Sequence, residues 1–177
     1  MTASQNVATY TPNEISVVIS QASSNISHTI SGYAEDSIVK VDRVTDDWEL
    51  YVGADNTTTR VYKGSTATKV SLSLQQTASS NDVLSYIRNN DLATLNASGL
   101  FSITIKDNSG RSVYFAQQAF LMGPANSEFG NTMHHREWVI CAPRTQQFIG
   151  GNSIFTPDDA TVIEALGGTI PTQWAPS

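Results

Sequence analysis

Histidines, paired carboxylates and a single cysteine are the residues of this sequence that could carry chemistry. His134 and His135 are adjacent, and adjacent residues of a strand point to opposite faces, so they cannot share one metal ion. Asp46-Asp47 and Asp158-Asp159 are typical of a turn and of a helix N-terminus rather than of a catalytic acid pair. These motifs therefore predict polar positions in secondary structure, not a metal site.

The other reactive side chains also lack the partners that catalysis needs. Glu35-Asp36 could act as an acid pair, but no base or nucleophile stands at a recognisable spacing. Cys141 lies among Val139, Ile140 and Ala142, which predicts a small, buried and unreactive side chain. The sequence contains no G-x-S-x-G, no H-E-x-x-H and no glycine loop for phosphates. We expect no catalytic residue, no cofactor, no metal and no enzyme activity.

Composition narrows the class of protein further. The chain has 177 residues, 15% charged residues and a formal net charge of −6. This length suits one domain with its own core, and an acidic chain would on average repel a nucleic-acid backbone. One cysteine excludes an internal disulfide, so folding in a cytoplasm is the default expectation. No apolar run in the sequence has the length needed for a membrane span, and we expect no secretion signal.

Several segments alternate apolar and polar residues with the period of two that is typical of strands. In VSLSLQQ, the apolar residues Val70, Leu72 and Leu74 alternate with Ser71, Ser73 and Gln75. Further strands are predicted at 14–20, 36–43, 100–106, 111–122 and 132–142, with turn residues such as Asp107–Gly110 between them. This order predicts hairpins of an antiparallel sheet.

The segment Trp48–Lys63 predicts a long hairpin with few apolar side chains. Gly53 to Asn56 supplies the glycine and Asp/Asn residues that tolerate positive φ at a turn. Such a hairpin can hardly be held by a core of its own, so it is either mobile or packed against a partner, and we expect it to make contacts between subunits. The residues expected at that contact are Trp48, Tyr51, Asp55, Arg60 and Tyr62.

Two helices are predicted. Ser80 is the expected N-cap of the first, Asp82 lies in its first turn, and Val83, Leu84 and Ile87 form its apolar stripe. The second begins at Thr156-Pro157-Asp158-Asp159 and ends at Gly167-Gly168. A helix of about ten residues is unstable alone, so we expect it to dock through Val162, Ile163 and Leu166, on its own subunit or on a neighbour.

These elements predict a mostly β fold. We expect an antiparallel β-sandwich or barrel with one packed helix and a short C-terminal helix. Residues 1–13 are predicted to form an N-terminal arm, residues 14–143 the β domain, and residues 144–177 a C-terminal extension.

Several short motifs follow one another in a recognisable order and spacing over about Ile15 to Ala142. They are Gly32–Ser37, Val41, Arg43, Gly53–Asp55, Arg60, Leu74–Thr77, Ser80–Leu84, Ile105–Asp107, Gly110-Arg111 and Arg136–Trp138. Through them the sequence resembles the tail tube proteins of contractile-tailed bacteriophages. Two departures are the polar insertion around Gln21 to Ser27 and the capped tail after Pro143.

The resemblance implies a tail-tube-like β fold and a structural role in the virion. It implies hexameric rings stacked into a tube inside a contractile sheath, with baseplate and tail terminator proteins as partners and DNA passing through the lumen without specific binding. It also implies synthesis in the cytoplasm of a host bacterium. Within that interpretation we expect Ser71, Ser73 and Gln75 to face the lumen.

Two other functions stay open at this point. A related tube initiator or another baseplate-proximal component of a phage tail or contractile injection system would share the same fold. A monomeric β-sandwich that binds a ligand, or an unrecognised enzyme, is the remaining class.

Overall fold

The computed structural model describes residues 7–35 and 38–176. Two α-helices lie at Ser80–Thr94 (α1) and Pro157–Ala165 (α2), and 3-10 turns lie at Pro12–Glu14, Ala22–Ser24 and Thr172–Trp174. The strands are β1 (Ile15–Gln21), β2 (Ile26–Thr29), β3 (Val39–Arg43), β4 (Trp48–Val52), β5 (Thr58–Tyr62), β6 (Thr68–Gln75), β7 (Phe101–Asp107), β8 (Val113–Leu121), β9 (His135–Ala142) and β10 (Gln146–Phe148).

Eight strands form one antiparallel sheet in the order β2-β1-β7-β8-β9-β6-β3, with β10 paired to β8. The first residues of β8 pair with β7 on one side and with β10 on the other, whereas Phe120 and Leu121 pair with β9. The register between β7 and β8 shifts between Phe101 and Ile103, as at a β-bulge. Strand β8 therefore joins the two halves of the sheet.

The chain after β2 returns to the far side of the sheet. The Ile30 amide donates to the Val17 carbonyl at 2.8 Å, and three residues later Tyr33 forms an isolated bridge with Leu74 of β6. Gly32 has φ +77°, and a Cβ there would lie 2.4 Å from the Ala78 side chain. The tight crossing therefore requires glycine at this position.

The core lies between the inner face of this sheet and α1. Val17, Ile19, Val70, Leu72, Leu74, Ile103, Ile105, Trp138 and Ile140 of the sheet are buried with Leu84 and Ile87 of the helix. The indole Nε1 of Trp138 donates to the Asn81 side-chain oxygen at 2.9 Å, which satisfies the polar atom of the largest core ring. The alternation predicted for β6 is confirmed, because its three apolar residues are buried.

The predicted N-cap of α1 is wrong by one residue. Ser79 occupies the N-cap position without a side-chain hydrogen bond, and Ser80 is the first residue of the helix. The Ser80 side chain is fully buried, and its hydroxyl accepts from the Ser31 amide and bonds to His28 Nε2, both at 3.0 Å. Long-range hydrogen bonds to β2 and to the segment that follows it therefore occupy the Ser80 hydroxyl, which a local helix cap would otherwise have used.

The mostly antiparallel fold with one packed helix and one C-terminal helix is confirmed. Strand β10 was not predicted, since three residues with the sequence QQF show no periodicity. It follows Thr145, whose buried hydroxyl lies 2.6 Å from that of Thr68. The sheet thus continues beyond Pro143, while the division of the chain at 13 and 143 stays a prediction.

Candidate functional site

The β4–β5 hairpin is a separate two-stranded sheet whose every strand residue is exposed. One face carries Trp48, Leu50, Val52, Arg60 and Tyr62, because the register pairs Trp48 with Tyr62 and Leu50 with Arg60. The rings of Trp48 and Tyr62 lie 5.1 Å apart, and the Arg60 guanidinium lies 3.3 Å from the centre of the Trp48 ring. This face is preformed and apolar, yet nothing in the described subunit covers it.

The opposite face of the hairpin carries Glu49, Tyr51, Val61 and Lys63. Glu49 and Lys63 form an ion pair at 2.9 Å, and the side chain of Tyr51 is 64% exposed. Glu49 and Lys63 cancel in charge, and Asp47 at the base of the hairpin is likewise paired with Arg43. The two faces therefore differ in charge: the ion pairs leave this face neutral, whereas the first face carries Arg60, which has no ion-pair partner among the described residues.

The tip of the hairpin is held by Asp55. Its carboxylate accepts from the Thr57 amide at 3.1 Å and from the Thr57 hydroxyl at 2.7 Å, and these bonds lower the pKa of Asp55. The positive φ falls on Asn56, at 65°, and not on Gly53. The expected turn is confirmed, with asparagine rather than glycine in the left-handed conformation.

The predicted lumen residues Ser71, Ser73 and Gln75 share the outer face of β6. Ser71 and Ser73 are half-buried and Gln75 is exposed. The side chains beside them on β3 and β9 are Lys40, Asp42, His135, Glu137, Val139 and Cys141. Lys40 and Asp42 form an ion pair at 2.8 Å, and with Lys69 and Glu137 the formal charges of this face cancel. The negative charge of the chain therefore lies elsewhere.

The α2 helix begins as predicted. Thr156 caps it, accepting from the Asp159 amide at 3.2 Å, and the Asp159 carboxylate accepts from the Thr156 amide in return. Of the three residues predicted to dock, Ile163 is half-buried, whereas Val162 and Leu166 are 59% and 82% exposed. Within the described subunit, the apolar side of α2 is left largely open.

The residues considered for chemistry do not come together. In the described ranges 7–35 and 38–176, no three His, Cys, Asp or Glu side chains lie close enough to hold a metal ion. His134 lies 3.6 Å from Glu128, and Asp36 of the considered acid pair lies outside the described residues. The prediction of a buried Cys141 is wrong, because its side chain is half-buried on the outer face of β9.

Sequence reasoning missed the residues that fix the C-terminal extension. The Arg111 guanidinium lies 4.0 Å from the Phe155 ring centre and 4.7 Å from that of Trp174, and it donates to the Ser153 carbonyl at 2.7 Å. Nearby, Asn152 donates to Asp107 at 3.2 Å. The only sequence signal for these contacts of Arg111 is the presence of two aromatic residues in an otherwise polar tail.

Comparisons with known proteins point in one direction. A model of the family described as bacteriophage PhiTE tail tube protein matches residues 7–150. A structural protein of Pseudomonas phage KPP10, ORF10, is 42% identical over 167 residues, which are 94% of this chain and 96% of that protein. A chain in the sheath–tube complex of an extracellular contractile injection system, PVC, superposes with a TM-score of 0.52 at 14% identity, and the match covers 79% of this chain and 91% of that one.

Proposed function

The chain belongs to the bacteriophage PhiTE tail tube protein family, and we propose that it forms hexameric rings that stack into the tube through which a phage genome leaves the virion. The family and the identity to a phage structural protein give it a structural role in the tail tube of a virion. The ring number, the stacking and the conduit are the proposal.

The exposed β4–β5 hairpin is the observation that carries this proposal. A two-stranded sheet is marginally stable in water, and Leu50 on it is 68% exposed. Patches of this kind mark protein–protein contacts, and in a self-assembling subunit the partner is another copy. Trp48, Tyr51, Asp55, Arg60 and Tyr62 are the residues that we assign to this contact.

Open strand edges support side-by-side assembly. Strands β2 and β3 end the sheet, and each has one edge without a neighbouring strand in the described residues. Such edges attract other strands unless they are covered, and joining them between subunits of a closed ring removes the exposed edge.

The outer face of β6 suits the wall of a DNA conduit. Serine and glutamine offer no net positive charge to hold phosphates, and the charges beside them cancel, so DNA could pass without being bound. We therefore keep Ser71, Ser73 and Gln75 as the proposed lumen residues, with a wall that is neutral rather than acidic.

The proposed partners are a tail sheath outside the tube, baseplate proteins at one end and a terminator at the other. The structural neighbour is described in a sheath–tube complex, which supports a sheath around this tube as well. We propose synthesis in the cytoplasm of the host bacterium. No helix within residues 7–35 and 38–176 has the length and hydropathy to cross a membrane.

Negative-stain microscopy of the purified protein tests the proposal. We expect long tubes whose end views show six-fold symmetry. Isolated closed rings would instead indicate a tube initiator, and small monodisperse particles at every concentration would overturn a tube-forming role.

A further inference from the structure

Helix α2 has one side on which an acidic residue stands next to two exposed apolar side chains. Asp158, Val162 and Leu166 follow one another at a spacing of four residues, so they line one side of the helix and its C-cap, and we call them the α2 stripe. Val162 and Leu166 are more than half exposed, and Asp158 is exposed as well. Ile163, on a neighbouring side of the helix, is half-buried. The α2 stripe is therefore an open helix face.

The carboxylate of Asp158 forms no ion pair in the described part of the chain. The neighbouring Asp159 is different, because its carboxylate accepts hydrogen bonds from Thr156. Glu49 also stands beside exposed apolar side chains, but Lys63 neutralises it. The sequence of α2 contains no basic residue that could neutralise Asp158 from within the helix. A surface that brings a cation next to an apolar side chain would therefore complement the α2 stripe.

The first face of the β4–β5 hairpin is such a surface. The Arg60 guanidinium lies over the Trp48 ring, and among the described residues it has no ion-pair partner. A guanidinium that lies over a ring keeps the N–H groups at its edge free for a carboxylate. Leu50, directly opposite Arg60 in the register, is 68% exposed. Arg111 is less available, because two aromatic rings and a backbone carbonyl surround its guanidinium.

We propose that the α2 stripe binds the first face of the β4–β5 hairpin of a second copy. Arg60 of the hairpin pairs with Asp158 of the helix, and the leucine opposite Arg60 packs on Val162. Opposite charges and exposed apolar side chains then cover each other on two surfaces that their own subunit leaves open. This inference rests on the proposed tube assembly and names the acceptor for the hairpin. Helix α2 lies beyond the residues 7–150 that the family model matches, so the contact uses the extension of this chain.

A charge swap within one chain tests the pairing. Arg60→Glu and Asp158→Arg should each slow polymerisation about tenfold or more, because each brings like charges together. The double variant restores an opposite pair and should polymerise within about threefold of the wild-type rate. Glu164→Arg reverses a charge on the other side of α2 and is the matched control, which should stay near wild type. Single variants at the wild-type rate, or a double variant as slow as the single ones, overturn the pairing.

Cross-linking in assembled tubes tests which face of the hairpin makes the contact. In a Cys141→Ser background, Leu50→Cys combined with Val162→Cys should give a ladder of covalent oligomers with a short bismaleimide. Tyr51→Cys combined with Val162→Cys is the matched control, because Tyr51 points to the other face, and it should give about tenfold less product. Equal cross-linking by both pairs, or by neither in tubes of normal length, overturns the inference. Wild-type protein that never forms tubes would instead overturn the proposed function itself.

Discussion

Strands β6 and β4 have similar alternating sequence patterns, but β6 is buried on one face and β4 is exposed on both. In β6, Val70, Leu72 and Leu74 alternate with polar residues and are buried against α1. In β4, Trp48, Leu50 and Val52 alternate with Glu49 and Tyr51, yet both faces are exposed. A period of two therefore specifies a strand and not its burial, which depends on whether another element of the chain can cover it.

Deleting Ala54–Thr59 should have the largest effect of the changes considered, and that effect should be confined to assembly. The deletion removes the tip held by Asp55, and the core shares no residue with it. We expect a folded, soluble subunit that no longer polymerises, measured by circular dichroism and electron microscopy. Tubes of normal length from this variant would show that the hairpin is not a contact between subunits.

Truncating one leucine in β6 and one in β4 should lower the free energy of unfolding by very different amounts. Leu72 is fully buried, so Leu72→Ala should lower the free energy of unfolding by about 2–5 kcal/mol. Leu50→Ala should change it by less than about 0.5 kcal/mol, because the side chain is already in water. Urea titration of unpolymerised subunits measures both. Equal losses would mean that the hairpin packs on its own core after all.

The buried hydroxyl of Tyr33 should make the stability of the folded subunit depend on pH. Its hydroxyl has no hydrogen-bond partner of good geometry in the described residues, and burial raises the pKa of Tyr33 to about 12, with a small opposing effect from the backbone of Val17. The unfolded phenol ionises near 10, so the folded state loses stability as the pH rises from about 10 to 12.

Replacing Tyr33 with phenylalanine should remove that loss. Tyr33→Phe should raise the free energy of unfolding by up to about 1 kcal/mol near neutral pH, since it deletes a buried hydroxyl without a partner. It should also flatten the decline in stability between pH 10 and 12. Tyr86→Phe, at an exposed tyrosine of α1, is the control. A destabilised Tyr33→Phe subunit would show that the hydroxyl does have a partner.

Thr156→Ala should act only on the extension. The loss of the side-chain cap should destabilise α2 by about 1 kcal/mol, visible as faster hydrogen exchange at Ala160 to Leu166. The core strands should keep their protection. Truncation after Pro143 is a less specific test, because it also removes β10 and the buried contact between Thr68 and Thr145. Faster exchange in β6 of the Thr156→Ala variant would mean that α2 supports the core.

Lysines on the outer face of β6 should disturb the fold least. Ser73→Lys places its charge beside Glu137, whereas Ser71→Lys places it beside Lys40. We expect stability changes within about 0.5 kcal/mol and intact tubes, with slower DNA passage if this face lines the lumen. Ready labelling of cysteines at these two positions by bulky reagents outside intact tubes would contradict the lumen assignment.

The sequence by itself determined the local structure of this protein. Alternation, turn residues and the Thr156 cap predicted most strands, the β4–β5 hairpin and both helices, because these signals act between residues close together in the chain. The exposure of the hairpin does not follow from a low apolar content, because Trp48, Leu50 and Tyr62 are exposed on it. The resemblance of the sequence to tail tube proteins rests on the order and spacing of short motifs.

Tertiary structure alone decided how distant residues use their polar atoms. It directed the Ser80 hydroxyl to Ser31 and His28 instead of the helix end, and it paired β10 with β8. It also placed Arg111 between Phe155 and Trp174, and it set Lys40 and Lys69 against Asp42 and Glu137 on one face. Each of these outcomes joins segments far apart in the chain, so no local pattern encodes it, and the contacts form only when the fold brings those segments together.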